Sequence, residues 1–265
     1  MTLVLAWLNR DDNPTALHLA SDSLLSDRDG RQWSHGPKIN RIHSLHEFIG
    51  YCGSSVTAMA AILQCNAILA ATNMLGKAGS RSTPTPDARV RALVPLLDPV
   101  MRSFPKAWLG GNDLPTLLYC GFDPRRSKFR LFEINVGGDV PYQERQLGKD
   151  QVLCYGSGAA RAKELLADLR WAKKTLATRD VLGILKSVIE DRSIPSVGGP
   201  PQMVTIMKRS SQPVGFNWKI AGHTESTLLG LTLQFRSSME KIRFIDQELR
   251  KSSYLHNSKI RRVKS

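Results

Sequence analysis

The chain lacks any uninterrupted apolar stretch approaching the eighteen or so residues of a membrane helix, and no basic cluster precedes its first apolar run, Leu3 to Leu8. Neither a membrane span nor a cleaved secretory signal is expected, and the reading is a cytoplasmic protein. Cysteine is sparse: Cys52, Cys65, Cys120 and Cys154 show none of the short paired spacings of metal sites or disulfide frameworks. Three of them sit in apolar, strand-like runs, where cysteine packs as a small hydrophobe. His43 and His46 lie close together, yet no cysteine or acidic pattern completes a zinc set around them. No metal or organic cofactor is expected. Acidic residues are few, 23 against 37 Lys and Arg, leaving a net charge of +14. With 42% hydrophobic and 7% aromatic residues the chain is nevertheless globular in composition, not disordered.

What is present reads as one sizeable core followed by a tail. Leu3–Leu8, Ala16–Ser21, Lys38–His43 and Glu47–Cys52 are short apolar runs between turn residues, and so strands. Ser54 or Ser55 can cap a helix running through Met74. Gly76 to Pro86 is a loop by composition, and a second helix spans Asp87 to Arg102. Strands return at Thr116–Phe122, Phe129–Asn135 and Val152–Tyr155. Helices follow at Ala159–Leu176 and Arg179–Asp191, then strands at Gln202–Lys208 and Phe216–Ala221. Strands, two helices, strands, two helices and strands make an α+β chain suited to a four-layer αββα sandwich, two stacked sheets between two helix pairs. The sandwich is assigned to residues 1–222, and a basic helical extension and tail to 223–265.

The chemistry concentrates near the start. Thr2 stands directly behind Met1, Asp22-Ser23 closes the second run, Lys38 opens the third, and Gly53 ends the fourth. Removal of Met1 would give Thr2 a free α-amine beside its own hydroxyl, and such an amine is a recognised base for a threonine nucleophile. It titrates near pH 7.7 to 8, close to working pH.

At these residues the chain resembles the proteasome β-subunit family of N-terminal-nucleophile hydrolases, including the bacterial two-ring homologues that work with an ATP-driven unfoldase. The likeness continues through Leu117–Asp123, a strand into a Gly-x-Asp turn, Gly156-Ser157-Gly158 before a helix, and Asp191 followed by Ser196-Val197-Gly198-Gly199. Ordered matches run roughly from residue 2 to residue 208. The resemblance implies a threonine peptidase that hydrolyses peptide bonds through an acyl-enzyme. Thr2 would be nucleophile and base, Lys38 its electrostatic partner, and Asp22 the group that fixes Lys38. The Gly53 N–H would stabilise the oxyanion, while Ser157, Asp191 and Ser196 would order the amine and a water; Ser193 competes with Ser196 for that place. The implied substrate is a peptide or unfolded protein, the implied assembly a homo-oligomeric ring, and the implied partner an ATPase unfoldase. Two other classes stay open: a single-substrate amidohydrolase or acylase using Thr2, and a catalytically silent assembly or nucleic-acid-binding subunit.

A dinucleotide fingerprint at Gly156-Ser157-Gly158 fails, because its third glycine position holds Arg161. The end of the chain is distinctive: Arg250, Lys251, Lys259, Arg261, Arg262 and Lys264 with no acidic residue from Arg250 onward, after helical apolar spacing at Met239, Ile242, Ile245 and Leu249. A basic helix and tail suits an acidic partner surface, a neighbouring subunit or nucleic acid.

Overall fold

The computed structural model describes residues 2–9, 13–26, 30–42, 46–72, 74, 84–105, 114–135, 141–148, 150–173, 175–233 and 242–253. It is a mixed α and β structure built largely on antiparallel sheets. Strands β1 (Leu3–Leu8), β2 (Ala16–Ser21), β10 (Val152–Gly156), β11 (Gln202–Met207) and β12 (Ser211–Ile220) form the larger sheet in the order β10-β1-β2-β11-β12. It continues through β13 (His223–Leu228) and β14 (Leu231–Thr232). A second sheet carries β5 (Ile39–Arg41), β6 (Phe48–Cys52), β7 (Thr116–Asp123), β8 (Lys128–Asn135) and β9 (Tyr142–Arg145) in chain order. A small hairpin joins β3 (Leu25–Ser26) to β4 (Gln32–Trp33).

The two-residue period of a strand sends alternate side chains to opposite faces, and here both faces are buried. Along β1, Leu3, Leu5 and Trp7 join one apolar cluster, which they share with helices α3 (Ala159–Ala172) and α4 (Thr178–Glu190). Val4 and Ala6 point the other way, into a cluster with Leu17 and Leu19 of β2 and Leu118, Cys120 and Leu131 of the second sheet. In that second sheet Phe48 and Cys52 face the larger sheet, whereas Ile49 and Tyr51 join a third cluster with α1 (Ser55–Ala71) and α2 (Pro86–Ser103). The near-continuous apolar reading of β1 follows from this double burial.

Local chemistry sets the helix ends. Ser54 occupies the N-cap of α1 with its hydroxyl on Thr57 Oγ1 rather than on a backbone N–H, whereas Thr85 Oγ1 accepts from Ala88 N at 3.3 Å to cap α2, with Pro86 in the first turn. Asp180 caps α4 by accepting from Ala177 N at 2.8 Å. Beneath α2, the buried Glu47 carboxylate accepts from Arg89 and from the Tyr119 hydroxyl, tying the helix to the sheet. No helix among the described residues is long and apolar enough to cross a membrane.

The extension departs from the sequence expectation. The boundary placed at 222/223 cuts a hairpin: β12 pairs with β13 from Ile220↔His223 to Gly215↔Leu228, turning through Ala221 and Gly222, both at positive φ. Residues 223–233 therefore continue the larger sheet. The segment read as helical from Ser237 is not helical over its described part, 242–253. It forms two short strands, β15 (Phe244–Ile245) parallel to β12, and β16 (Lys251–Ser252). The cause is tertiary. Gly215 leaves room for the Phe244 ring, which lies 2.3 Å from where a Cβ would stand, so the Phe244 backbone can join the sheet. Ile245 and Leu249, spaced as on a helix, pack against α4's cluster from a strand and a turn instead. Met1, His43, most of the Gly76–Pro86 loop, Met239 and the terminal cations from Lys259 onward lie outside the described residues.

Candidate active site

The three sequence elements picked for chemistry meet at one end of the larger sheet. β2 ends at Ser21, and Asp22 N still donates to Leu3 O at 3.4 Å, so the ladder with β1 continues one step. This turns the Asp22 carboxylate back onto the start of β1. Oδ1 accepts from Leu3 N at 3.0 Å, and Oδ2 accepts from Leu24 N and Gly198 N, each at 3.1 Å. Lys38 Nζ reaches both oxygens, at 2.9 and 2.8 Å. Both side chains are fully buried. The amide of the residue after Thr2 thus sits on the carboxylate that holds Lys38.

Burial lowers the proton affinity of Lys38, against the opposing pull of the Asp22 carboxylate. The Lys38 backbone is held as well. Its N–H donates to Gln202 Oε1 at 3.0 Å, while Gln202 Nε2 donates to Gly36 O at 2.5 Å and to Asp22 O at 3.4 Å. Gln202 is fully buried at the first position of β11, opposite Ser21. Sequence reasoning missed it, because only its contacts across the fold mark it out.

Thr2, also fully buried, is fixed from the other side. Its N–H donates to Ser157 Oγ at 3.2 Å, and its carbonyl accepts from Gly158 N at 3.4 Å. Ser157 Oγ and Ser196 Oγ are hydrogen-bonded at 2.8 Å. Ser193 instead donates to Asp191, through N at 3.0 Å and Oγ at 2.6 Å. The other Asp191 oxygen lies 3.3 Å from Arg161 Nε. Among the described residues no hydrogen bond links the Asp191 side chain to Ser157 or Ser196.

Two glycines let the elements close up. At Gly156, φ is +90°, and a Cβ would fall 2.0 Å from Thr2 O and 3.3 Å from Cys52 Cβ. That contact brings the end of β6 to the start of β1. Gly53 follows Cys52 at φ +97°, with Pro115 Cα 3.1 Å from where its Cβ would stand. The Cys52 thiol is pushed up to about 11 by burial and stays protonated at neutral pH, so it is no competing nucleophile. Among the described residues no group of three His, Cys, Asp or Glu is placed to hold a metal ion.

No family model matches this chain, and no curated protein matches it.

Proposed function

We propose that the chain is a threonine-type N-terminal-nucleophile hydrolase, a proteasome-like peptidase that cleaves peptide bonds with Thr2 once Met1 is removed. The observation that carries the reading is the fully buried Lys38–Asp22 pair on the amide next to Thr2. Burying two opposite charges commonly costs more stability than apolar residues of the same volume would, so such a pair calls for a purpose beyond packing. The four-layer αββα reading belongs to the same proposal. Its support is the division of the core into one cluster between the two sheets and two more beneath the helix pairs.

In this mechanism the Thr2 amine takes the hydroxyl proton, directly or through a water, and Oγ1 attacks the scissile carbonyl. Lys38 favours the deprotonated forms of both groups by its charge, and Asp22, anchored by three backbone N–H groups, fixes Lys38. Ser157 and Ser196 hold the amine. The Gly53 N–H is assigned to the oxyanion, a contribution on the order of 3 kcal/mol in comparable holes. Assembly into a ring, and feeding by an ATP-driven unfoldase, extend the proposal to partners. Intact mass of the native protein, combined with labelling by a peptide epoxyketone or β-lactone, tests it. Loss of Met1 and a single label on Thr2, absent in Thr2→Ala, are expected; a retained Met1, or amidase activity that survives Thr2→Ala, overturns it. Cleavage of small amides without cleavage of unfolded protein would move the substrate from polypeptide to a small molecule.

A further inference from the structure

A second cavity lies at the opposite end of the larger sheet. β2 pairs Ser21 with Gln202 at the Thr2 end and Ala16 with Met207 at the other, a separation of about 17 Å at strand rise. There a cavity of about 820 Å³ opens between the Ala16 end of β2, the β11–β12 turn, the start of α4 and the strand entering β15. Four cations line it: Arg179, Lys208, Arg209 and Arg243. Among the described residues no carboxylate lines it, and none forms an ion pair with Lys208, Arg209 or Arg243. Arg89, Arg130, Arg145 and Arg161, by contrast, each stand against a carboxylate. The inner wall of the cavity is apolar, with Leu182, Met203 and Ile245.

Deep in the same cavity stands His18, 7% exposed, its Nδ1 3.1 Å from Thr205 Oγ1 and its ring 5.1 Å from that of Trp7. Burial, with Arg243 adding to it, keeps this imidazole neutral at physiological pH. The positive charge of the cavity therefore belongs to the rim cations, and the inner part offers a neutral imidazole and apolar walls. A doubly charged head needs several cations at once, and a body that buries against Leu182, Met203 and Ile245 has to be apolar.

We propose that this cavity binds a small phosphate ester, its phosphate on Arg243, Lys208 and Arg209 and its apolar body against the inner wall. The site is independent of Thr2 and stands whether or not the chain is a hydrolase. Calorimetric titration of the full chain with phenyl phosphate, beside inorganic phosphate and phenol, tests it. Phenyl phosphate is expected to bind at least tenfold more tightly than inorganic phosphate, and phenol to show no measurable binding. Arg243→Glu with Lys208→Glu, both exposed positions, should weaken phenyl phosphate at least tenfold. The same charge change at Arg125→Glu with Arg126→Glu, on the exposed β7–β8 turn, should alter it less than twofold. The milder Arg243→Gln should weaken it in the same direction, and bound ligand should shift the His18 ring resonances. Equal weakening by the two double variants would show diffuse attraction to a +14 chain and overturn the proposal. Absence of binding, or equal affinity for phosphate and phenyl phosphate, would overturn it too.

Discussion

Replacing Lys38 by Met keeps the length of the side chain and removes its charge, so it asks what the buried pair does. The Asp22 carboxylate would lose Nζ at 2.9 and 2.8 Å but keep the N–H groups of Leu3, Leu24 and Gly198. Breaking a buried pair by removing one partner costs about 3–5 kcal/mol. Three surviving hydrogen bonds to the stranded carboxylate place this case at the lower end, about 3 kcal/mol, or roughly 6–12 °C in Tm for a chain of this size. Asp22→Asn should be worse. Its amide offers one acceptor oxygen to donors that now share two, and its NH₂ must face a backbone N–H or the Lys38 ammonium. A loss of about 4–5 kcal/mol is expected there. Because the two residues are in contact, the double variant should lose clearly less than the sum of the singles. Urea unfolding supplies the stabilities, and β-lactone labelling of Thr2 supplies the chemistry. All three variants should fail to label, including any that remain folded at the assay temperature. A Lys38→Met protein within 1 kcal/mol of wild type, or one that labels at the wild-type rate, would refute the reasoning.

The remaining predictions follow from single contacts. Gly156→Ala would set a methyl 2.0 Å from Thr2 O at a φ of +90°, so it should displace Thr2, lower stability by more than about 2 kcal/mol, and abolish labelling. Gln202→Glu would turn a carboxylate oxygen toward the carbonyls of Gly36 and Asp22, costing on the order of 1–3 kcal/mol and slowing labelling; unchanged labelling would remove Gln202 as a positioning residue for Lys38. His18 titrates at about 4 in the fold and near 6.5 when unfolded, mainly through burial. The unfolded state therefore binds the extra proton, and stability should fall as pH drops from about 6.5 to about 4, by roughly 3 kcal/mol in all. His18→Gln should remove that part of the pH dependence in urea melts, and an unchanged profile would contradict the assignment.

Elements whose side chains are buried on both faces were legible in the sequence. β1 and β2 run over the residues expected, Leu3–Leu8 and Ala16–Ser21, because turn residues end the first apolar run and bound the second on both sides. α2 was legible to within a residue at each end because Thr85 and Pro86 punctuate its start. Short polar strands were not legible: β9, Tyr142–Arg145, has only partial burial and no apolar alternation to announce it. The end of the chain misled for a definite reason. Ile242, Ile245 and Leu249 fit a helical stripe, but spacings of three and four also describe a strand followed by a turn that returns to the same helix. What decides between them is the vacancy at Gly215, about thirty positions away in sequence.

The site divides in the same way. Thr2, Asp22 and Lys38 were picked out by their order against the first three strands and the resemblance that order carries, since alone the Asp reads as a turn former and the Lys as a solvated charge. Their partners are non-local. Gln202 is 164 positions from Lys38, and Ser157 is 155 from Thr2; nothing in a glutamine that opens a strand says which backbone it will hold. Asp191, which the order of motifs placed in the site, has hydrogen bonds from Ser193 and an ion pair with Arg161, and neither partner could be read from that order. Order along the chain locates a residue near a site, but the donor that claims each acceptor is settled only when helices and strands distant in sequence are brought together. Here Ser157 is hydrogen-bonded to Ser196, and Gly156 lets β10 close on Thr2.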